Sequence, residues 1–163
     1  MVGDMVGHKR YKVMHKATCI YDIPEWVDIK RVSTQADYKA FKAIYLSSFG
    51  SNLRRRIRIL LKKREVFSTS FVWLYKGDYI GIYTLQDNES KRVTPEVNFK
   101  VLYNFALKQD MRGKGFGRIM LASAVTETAK LGYSELLLTV ATDNIAALKL
   151  YQHEGFKHIN QEK

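Results

Sequence analysis

Cysteine, proline and acidic residues are all scarce in this sequence. The single cysteine, Cys19, excludes an internal disulfide framework and a cysteine-rich metal site, and we interpret it as a buried or half-buried apolar residue. No apolar run approaches the roughly 18 residues that a membrane span requires. Residues 1–16 also lack the apolar core of a secretory signal. We therefore expect a cytoplasmic protein with no membrane partner and no metal.

The shortage of acidic residues leaves the chain strongly basic. It has 27 Lys and Arg residues against 16 Asp and Glu, a formal net charge of +11. This charge favours an anionic partner such as nucleic acid, a phosphorylated cofactor or an acidic peptide. The densest basic stretch, 53–64, also has apolar residues at helical spacing. It predicts an amphipathic helix whose basic face is either simply solvated or recruits an acidic substrate or nucleic acid.

The order of predicted elements indicates the fold class. The length of 163 residues and 46% hydrophobic content predict a single domain over 1–163, with residues 1–10 flexible. Strand and helix patterns alternate, and an antiparallel hairpin lies in the middle, which predicts a three-layer α/β domain. The predicted strands are 11–20, 26–32, 66–75, 78–86, 97–108, 134–142 and 156–163, and the predicted helices are 34–49, 53–64, 115–132 and 144–155.

A glycine-rich basic segment lies where the strand 97–108 gives way to a helix. Glycine lets the backbone approach an anion closely, and the first N–H groups of a helix are unpaired at the positive end of its dipole. This combination predicts phosphate binding. It is not the dinucleotide fingerprint or the nucleotide-triphosphate loop, because the residues at the required positions differ. The predicted phosphate-binding residues are Arg112, Gly113, Lys114, Gly115, Phe116, Gly117 and Arg118.

Two motifs in this order resemble those of the GNAT superfamily of N-acyltransferases. The first is R-x-x-G-x-G, with its arginine at Arg112. The second, N-x-x-A-x-x-L-Y-x-x-x-G-F, runs from Asn144 through Tyr151 to Phe156. The motif resemblance covers 66–156, whereas 29–64 agrees only in element order. It implies a mixed central sheet of about six or seven strands that splays between two parallel strands, with helices on both faces.

The resemblance also implies a chemistry and a set of site residues. Acetyl-CoA would be the acyl donor, with its pyrophosphate on the glycine-rich loop, and an amine acceptor would enter from the opposite side. Backbone groups of Leu107, Lys108 and Gln109 would hold the pantetheine arm, and an N–H there would polarise the thioester carbonyl. Tyr151 would protonate the departing sulfur and Asn144 would hydrogen-bond the arm, both from one face of the last helix.

The general base and the acceptor are less constrained. The strand 98–108 carries no carboxylate, so Glu96 and Tyr103 are the nearest candidates for the base, with water as the alternative. Arginines at 54–56 and 58 favour an acceptor of anionic character, either a small-molecule amine or a peptide. Two other functions stay open: a non-catalytic CoA-binding regulator, and a nucleic-acid-binding module, which would leave the second motif unexplained.

The segment 11–20 is a strand that the family plan does not require. Family members usually continue past the Gly-Phe pair with two strands, the second of which inserts beside the final parallel strand, but only seven residues follow Phe156. An unfilled position would leave backbone N–H and C=O groups of 134–142 unpaired. We therefore predict that 11–20 pairs in the C-terminal half of the sheet, within its own chain or swapped in a homodimer.

Overall fold

The computed structural model describes residues 10–49, 68–87 and 98–159, which form one mixed sheet with helices on both faces. The strand order is β2-β3-β4-β5-β6-β1-β7. The α/β prediction is confirmed, while the predicted basic helix 53–64 and Glu96 lie outside the described residues. The strands are β1 (Tyr11–Ala17), β2 (Asp28–Arg31), β3 (Ser70–Tyr75), β4 (Asp78–Asp87), β5 (Phe99–Leu107), β6 (Glu135–Ala141) and β7 (Lys157–His158), and the helices are α1 (Gln35–Phe49), α2 (Phe116–Lys130) and α3 (Ile145–His153).

Alternation along the central strands divides the core between the two faces of the sheet. Successive residues of β3 point to opposite faces, so Val72 packs in the α1 cluster and Trp73 in the α2 cluster. Phe41 and Ile44 of α1 complete the first cluster, and Met120 of α2 lies in the second. No helix in the three described ranges has the length and apolar content that crossing a membrane requires.

The sheet opens between β5 and β6, as predicted. These strands pair in parallel only from Phe99↔Glu135 to Leu102↔Leu138, and beyond Leu102 the pairing ends. Just past that point β5 contains a bulge: the register with β4 shifts between Ile82 and Thr84, and Asn104 has a φ of 55°. The Asn104 side-chain amide donates to Thr84 Oγ1 at 3.1 Å, which fixes the irregular backbone in place. The bulge therefore lies where the two parallel strands separate.

Strand β1 fills a position beside the last parallel strand. It pairs antiparallel with β6 along its whole length, from Tyr11↔Ala141 to Ala17↔Glu135, and its other edge pairs with β7. This confirms the predicted pairing of the N-terminal segment, here within a single chain. The strand ends at Ala17, earlier than predicted. Cys19 follows the end of the strand and its side chain is exposed, so the interpretation of Cys19 as buried or half-buried is wrong.

The start of α1 is fixed by a reciprocal capping box. The Asp37 N–H donates to Thr34 Oγ1, and the Thr34 N–H donates to Asp37 Oδ2, each at 3.1 Å. Asp37 is fully buried and also accepts a hydrogen bond from the Tyr79 hydroxyl at 2.7 Å, while Lys30 Nζ lies 3.1 Å from Asp37 Oδ1. Burial alone raises the pKa of Asp37, but these hydrogen bonds, including one from the Ser33 N–H, outweigh burial and hold the pKa well below its usual range.

Candidate active site

A cavity of about 450 Å³ lies at the opening between β5 and β6. Its wall is built from the end of β5, the glycine-rich loop, the first turn of α2, the segment around α3 and the last turn of α1. The structure thus brings the two sequence motifs together around one space. Of the predicted site residues, those that line the cavity are Leu107, Arg112, Gly113, Gly115, Gly117, Arg118, Asn144 and Tyr151.

The glycine-rich loop offers bare backbone at the start of a long helix. Gly113 and Gly115 have φ values of 74° and 83°, in the left-handed region that favours glycine. Gly115 is the N-cap of α2 and provides no side-chain cap, so the first N–H groups of this helix have no side-chain partner there. A Cβ atom at either glycine would meet nothing within 4 Å. The loop therefore has both the open space and the donors that a phosphate group needs.

Two arginines flank this loop and both are engaged within the fold. Arg112 Nε donates to the Leu107 carbonyl at 3.1 Å, which ties the loop to the end of β5. Arg118 Nε donates to Glu154 Oε1 at 2.5 Å, in an ion pair that links the first turn of α2 to the end of α3. Lys114 is exposed and does not line the cavity, while Phe116 turns its ring towards Trp73, 5.3 Å between centroids. Positive charge therefore surrounds the loop without filling it.

Only one of the three residues predicted to hold the pantetheine arm lines the cavity. The Lys108 N–H donates to the Ile80 carbonyl at 2.8 Å, so that group is used by strand β4. Because hydrogen bonding alternates along an antiparallel ladder, the Leu107 N–H points away from β4 and towards the opening. Gln109 begins a 3-10 turn, and its carbonyl accepts from the Arg112 N–H at 3.3 Å. Of these three residues, only Leu107 turns its backbone N–H towards the opening, and its carbonyl is taken by Arg112 Nε.

Tyr151 lies on the cavity wall with only 8% of its surface exposed. Its ring is 6.2 Å from that of Phe105 and 5.8 Å from that of Phe156, measured between centroids. This burial disfavours the phenolate and raises the pKa of Tyr151 to about 12. The hydroxyl is protonated at neutral pH, as it would also be at its ordinary pKa of 10, and this is the state that a proton donor requires.

Asn144 is placed differently from the expectation. It is the N-cap of α3 rather than a residue on the face of the helix, and its Oδ1 accepts from the Ala147 N–H at 3.2 Å. The prediction that Asn144 and Tyr151 project from one helical face is therefore wrong, because Asn144 precedes the first turn and has non-helical dihedral angles. Both residues still line the cavity, and the Asn144 amide NH₂ is left as a donor.

A family model described as the acetyltransferase (GNAT) family matches residues 34–156. The chain belongs to this family. It is 38% identical over 55 residues to the [ribosomal protein bS18]-alanine N-acetyltransferase of Escherichia coli K12, and 34% identical over 93 residues to the N-acetylaspartate synthetase of Xenopus tropicalis. These matches cover 34% and 56% of this chain, and 37% and 32% of the relatives' own lengths.

Solved structures agree with this GNAT fold. A GCN5-related N-acetyltransferase from Sphaerobacter thermophilus has a TM-score of 0.68 at 17% identity, covering 91% of this chain and 48% of that one. The ribosomal-protein-S18-alanine N-acetyltransferase from E. coli has a TM-score of 0.64 at 22% identity, covering 82% and 79% of the two chains. At these identities the likeness concerns the fold.

The cavity wall also includes residues that the two sequence motifs did not indicate. Phe105 follows the bulge in β5, and Ser48 and Phe49 come from the last turn of α1, which no motif marks. Tyr103, a predicted candidate for the general base, is 45% exposed and does not line the cavity. The described lining includes no carboxylate, and the described residues contain no group of three or more metal-ligand side chains positioned for an ion.

Proposed function

We propose that this GNAT domain transfers an acetyl group from acetyl-CoA to a primary amine. The observation that carries the proposal is the meeting, in one cavity, of an uncapped helix N-terminus and a buried tyrosine. The pyrophosphate fits the open space above Gly113 and Gly115, where backbone N–H groups and Arg112 supply donors. The Asn144 amide NH₂ and the Leu107 N–H can donate hydrogen bonds to the rest of the acetyl-CoA molecule.

Few residues of this chain take part in the proposed acetyl transfer. Bound acetyl-CoA supplies a thioester whose C–S bond breaks as the new N–C bond forms. The Leu107 N–H donates to the thioester oxygen as negative charge develops there, and Tyr151 gives its proton to the departing sulfur. We assign the proton lost by the amine to water; the described lining includes no carboxylate, and Glu96, the other acidic candidate, lies outside the described residues. Solvent then returns a proton to Tyr151.

For the acceptor we propose the amine of an amino acid or peptide that carries negative charge. One relative is named for acetylating the alanine of a ribosomal protein and another for synthesising N-acetylaspartate, so both names refer to amines of amino acid origin. Aspartate is anionic, which agrees with the net charge of +11 of this chain. The excess of positive charge on the chain would attract an acidic acceptor and repel a polycation.

Donor binding is tested by replacing Gly117, which lies in the first turn of α2. Gly117→Asp puts a carboxylate in the cavity wall at the start of α2, where its negative charge would repel the phosphates, yet it suits the positive end of the helix dipole, so we expect loss of acetyl-CoA binding with the fold kept. In the matched control Gly117→Ala, the added Cβ would lie 3.4 Å from Leu150 Cδ2, an ordinary van der Waals contact. The variant adds no charge, so acetyl-CoA binding should persist.

The measurement is thermal unfolding with and without acetyl-CoA. At a hundred times the dissociation constant, acetyl-CoA should stabilise the wild type and Gly117→Ala by about 2.7 kcal/mol and leave Gly117→Asp unchanged. Equal stabilisation of all three proteins would contradict the phosphate site. Release of free CoA thiol on adding amines then separates an enzyme from a CoA-binding regulator, and stabilisation by DNA alone would favour the nucleic-acid module.

A further inference from the structure

Residues 18–27, which we call the crossing segment, join two strands that lie far apart in the sheet. Four other strands separate β1 from β2, so the two strands are about 24 Å apart across the sheet. Ten residues span at most roughly 35 Å when they are fully extended. The segment therefore has to cross one face of the sheet almost directly.

The crossing segment contacts α2 at two places. The Tyr21 N–H donates to Thr126 Oγ1, in the second half of the helix, at 3.0 Å. Five residues later, the ring of Trp26 packs against that of Phe116, the first residue of α2, at 6.3 Å between centroids. The segment thus lies on the α2 face of the sheet and ends beside the glycine-rich loop.

Phe116 is the side chain that joins this loop to the core. Three of the residues 113–117 are glycines, and Lys114 is exposed. The Phe116 ring instead packs against the α2 cluster, 5.3 Å from the ring of Trp73 and 5.0 Å from that of Tyr75. Its backbone N–H is one of the first N–H groups of α2, which have no partner within the helix. The direction of these groups therefore depends on how firmly the ring is held.

Trp26 completes the packing around Phe116. Its ring lies 6.4 Å from that of Trp73 and 5.8 Å from that of Tyr75, so it contacts the same two residues that hold Phe116. Trp26 is nevertheless 50% exposed. A half-exposed side chain adds less to the hydrophobic core than a buried one, so the main effect of Trp26 is local, on the freedom of Phe116.

We propose that Trp26 is a positioning residue for the glycine-rich loop and acts through Phe116. This inference rests on the proposed function. With the Phe116 ring held, the first N–H groups of α2 keep one orientation, and acetyl-CoA binds without first having to order them. The gain concerns the phosphates of the donor molecule, because Tyr151 and the thioester lie at the other end of the bound molecule.

The matched variants are Trp26→Ala, Trp26→Phe and Ile20→Ala. Ile20 lies in the same segment and is 62% exposed, so it controls for the loss of an exposed apolar side chain there. Calorimetry with acetyl-CoA should give a dissociation constant about fivefold higher for Trp26→Ala, the loss of its aromatic contact. Ile20→Ala and Trp26→Phe, which keeps a ring, should bind acetyl-CoA as the wild type does.

A donor without phosphates separates positioning of the loop from a general loss of structure. With the dipeptide Ala-Asp as acceptor, Trp26→Ala should lower kcat/KM for acetyl-CoA by the same factor as it lowers the affinity. The kcat/KM for S-acetylpantetheine, which lacks the phosphates, should not change. Equal losses for the two donors would overturn the proposal, because the change would then reach the reacting end of the site.

A double-mutant cycle tests whether Trp26 acts through Phe116. In a Phe116→Leu background, Trp26→Ala should have little further effect on acetyl-CoA affinity. Full additivity, or wild-type affinity in Trp26→Ala even with a lower melting temperature, would overturn the inference. If the wild type bound acetyl-CoA but transferred nothing to an amine, the proposed function would fail while the binding measurements still decided the role of Trp26. Absence of acetyl-CoA binding by the wild type would refute both.

Discussion

Tyr151 is the residue on which the proposed chemistry most depends. Replacing it with phenylalanine removes the proton donor and keeps the ring that contacts Phe105 and Phe156. We expect kcat to fall on the order of 10²-fold with the affinity for acetyl-CoA nearly unchanged. Steady-state kinetics together with donor binding by calorimetry would measure both. Equal turnover by the two proteins would mean that the sulfur leaves without this proton.

The location of the glycines and of Tyr151 could be predicted because each belongs to a short, local pattern. What could not be predicted depends on partners far away in the sequence. The Lys108 N–H is used by Ile80, and Ser48 lines the cavity only because α1 ends beside it. The sequence predicts a helical face for Asn144 because the motif gives its spacing to Tyr151 but not the residue at which the helix begins.

At the scale of one element, the first turn of α1 depends on the buried carboxylate of Asp37. Asp37→Asn should cost about 2 kcal/mol of unfolding free energy, since the neutral amide disturbs the bonds from Tyr79, Ser33 and Thr34. The pKa of Asp37 is lowered in the fold, so its contribution is present above its ordinary pKa of 3.8 and is lost as pH falls through the folded value.

Chemical denaturation from pH 7 down to pH 3 would measure this effect. The stability difference between wild type and Asp37→Asn should be constant near neutral pH and narrow in acid. Thr34→Ala provides a comparison that removes the other half of the capping box without changing the charge. A difference between wild type and Asp37→Asn that stays the same at every pH would argue against an ionised Asp37.

Strand β1 gives the second prediction at this scale. Removing residues 1–20 deletes the ladder to both β6 and β7, as well as the Lys16 ammonium that donates to the Glu154 carbonyl at 2.5 Å. We expect a loss of several kcal/mol of stability, or of solubility itself, because β6 is left with an unpaired edge. Denaturant unfolding measures the loss. Removing residues 1–9 alone is the control, since it keeps β1 whole, and a full deletion that unfolds like this control would contradict the structural role.

The presence of this strand could be predicted from the sequence because an open sheet edge is a strong constraint on any fold. Its short length and the bulge at Asn104 could not, since both depend on how the neighbouring strands twist and pair. The hairpin of β3 and β4 could be predicted from local sequence. Lys76 and Gly77 both have positive φ, 50° and 82°, as the tight turn predicted between two β-rich runs requires.

For the whole molecule, the net charge of +11 should govern the choice of acceptor. We expect kcat/KM for the dipeptide Ala-Asp to exceed that for Ala-Lys about tenfold at low ionic strength, with spermine poorer than either. The advantage should shrink at about 0.5 M salt, where screening acts over only a few ångströms. Initial-rate measurements at two salt concentrations test this, and efficient transfer to spermine would contradict it.

The position of β1 between β6 and β7 has a consequence for how the protein folds. The contact between His15 and Glu135 joins side chains 120 positions apart in the chain. During synthesis at about 5–20 residues per second, roughly 6 to 24 seconds separate the emergence of these two residues from the ribosome. Throughout that interval β1 has no partner strand, and its ladder adds to the high contact order that slows folding. The C-terminal part of the sheet therefore closes last, and any chain released before β6 exposes β1 to chaperones and to other nascent chains.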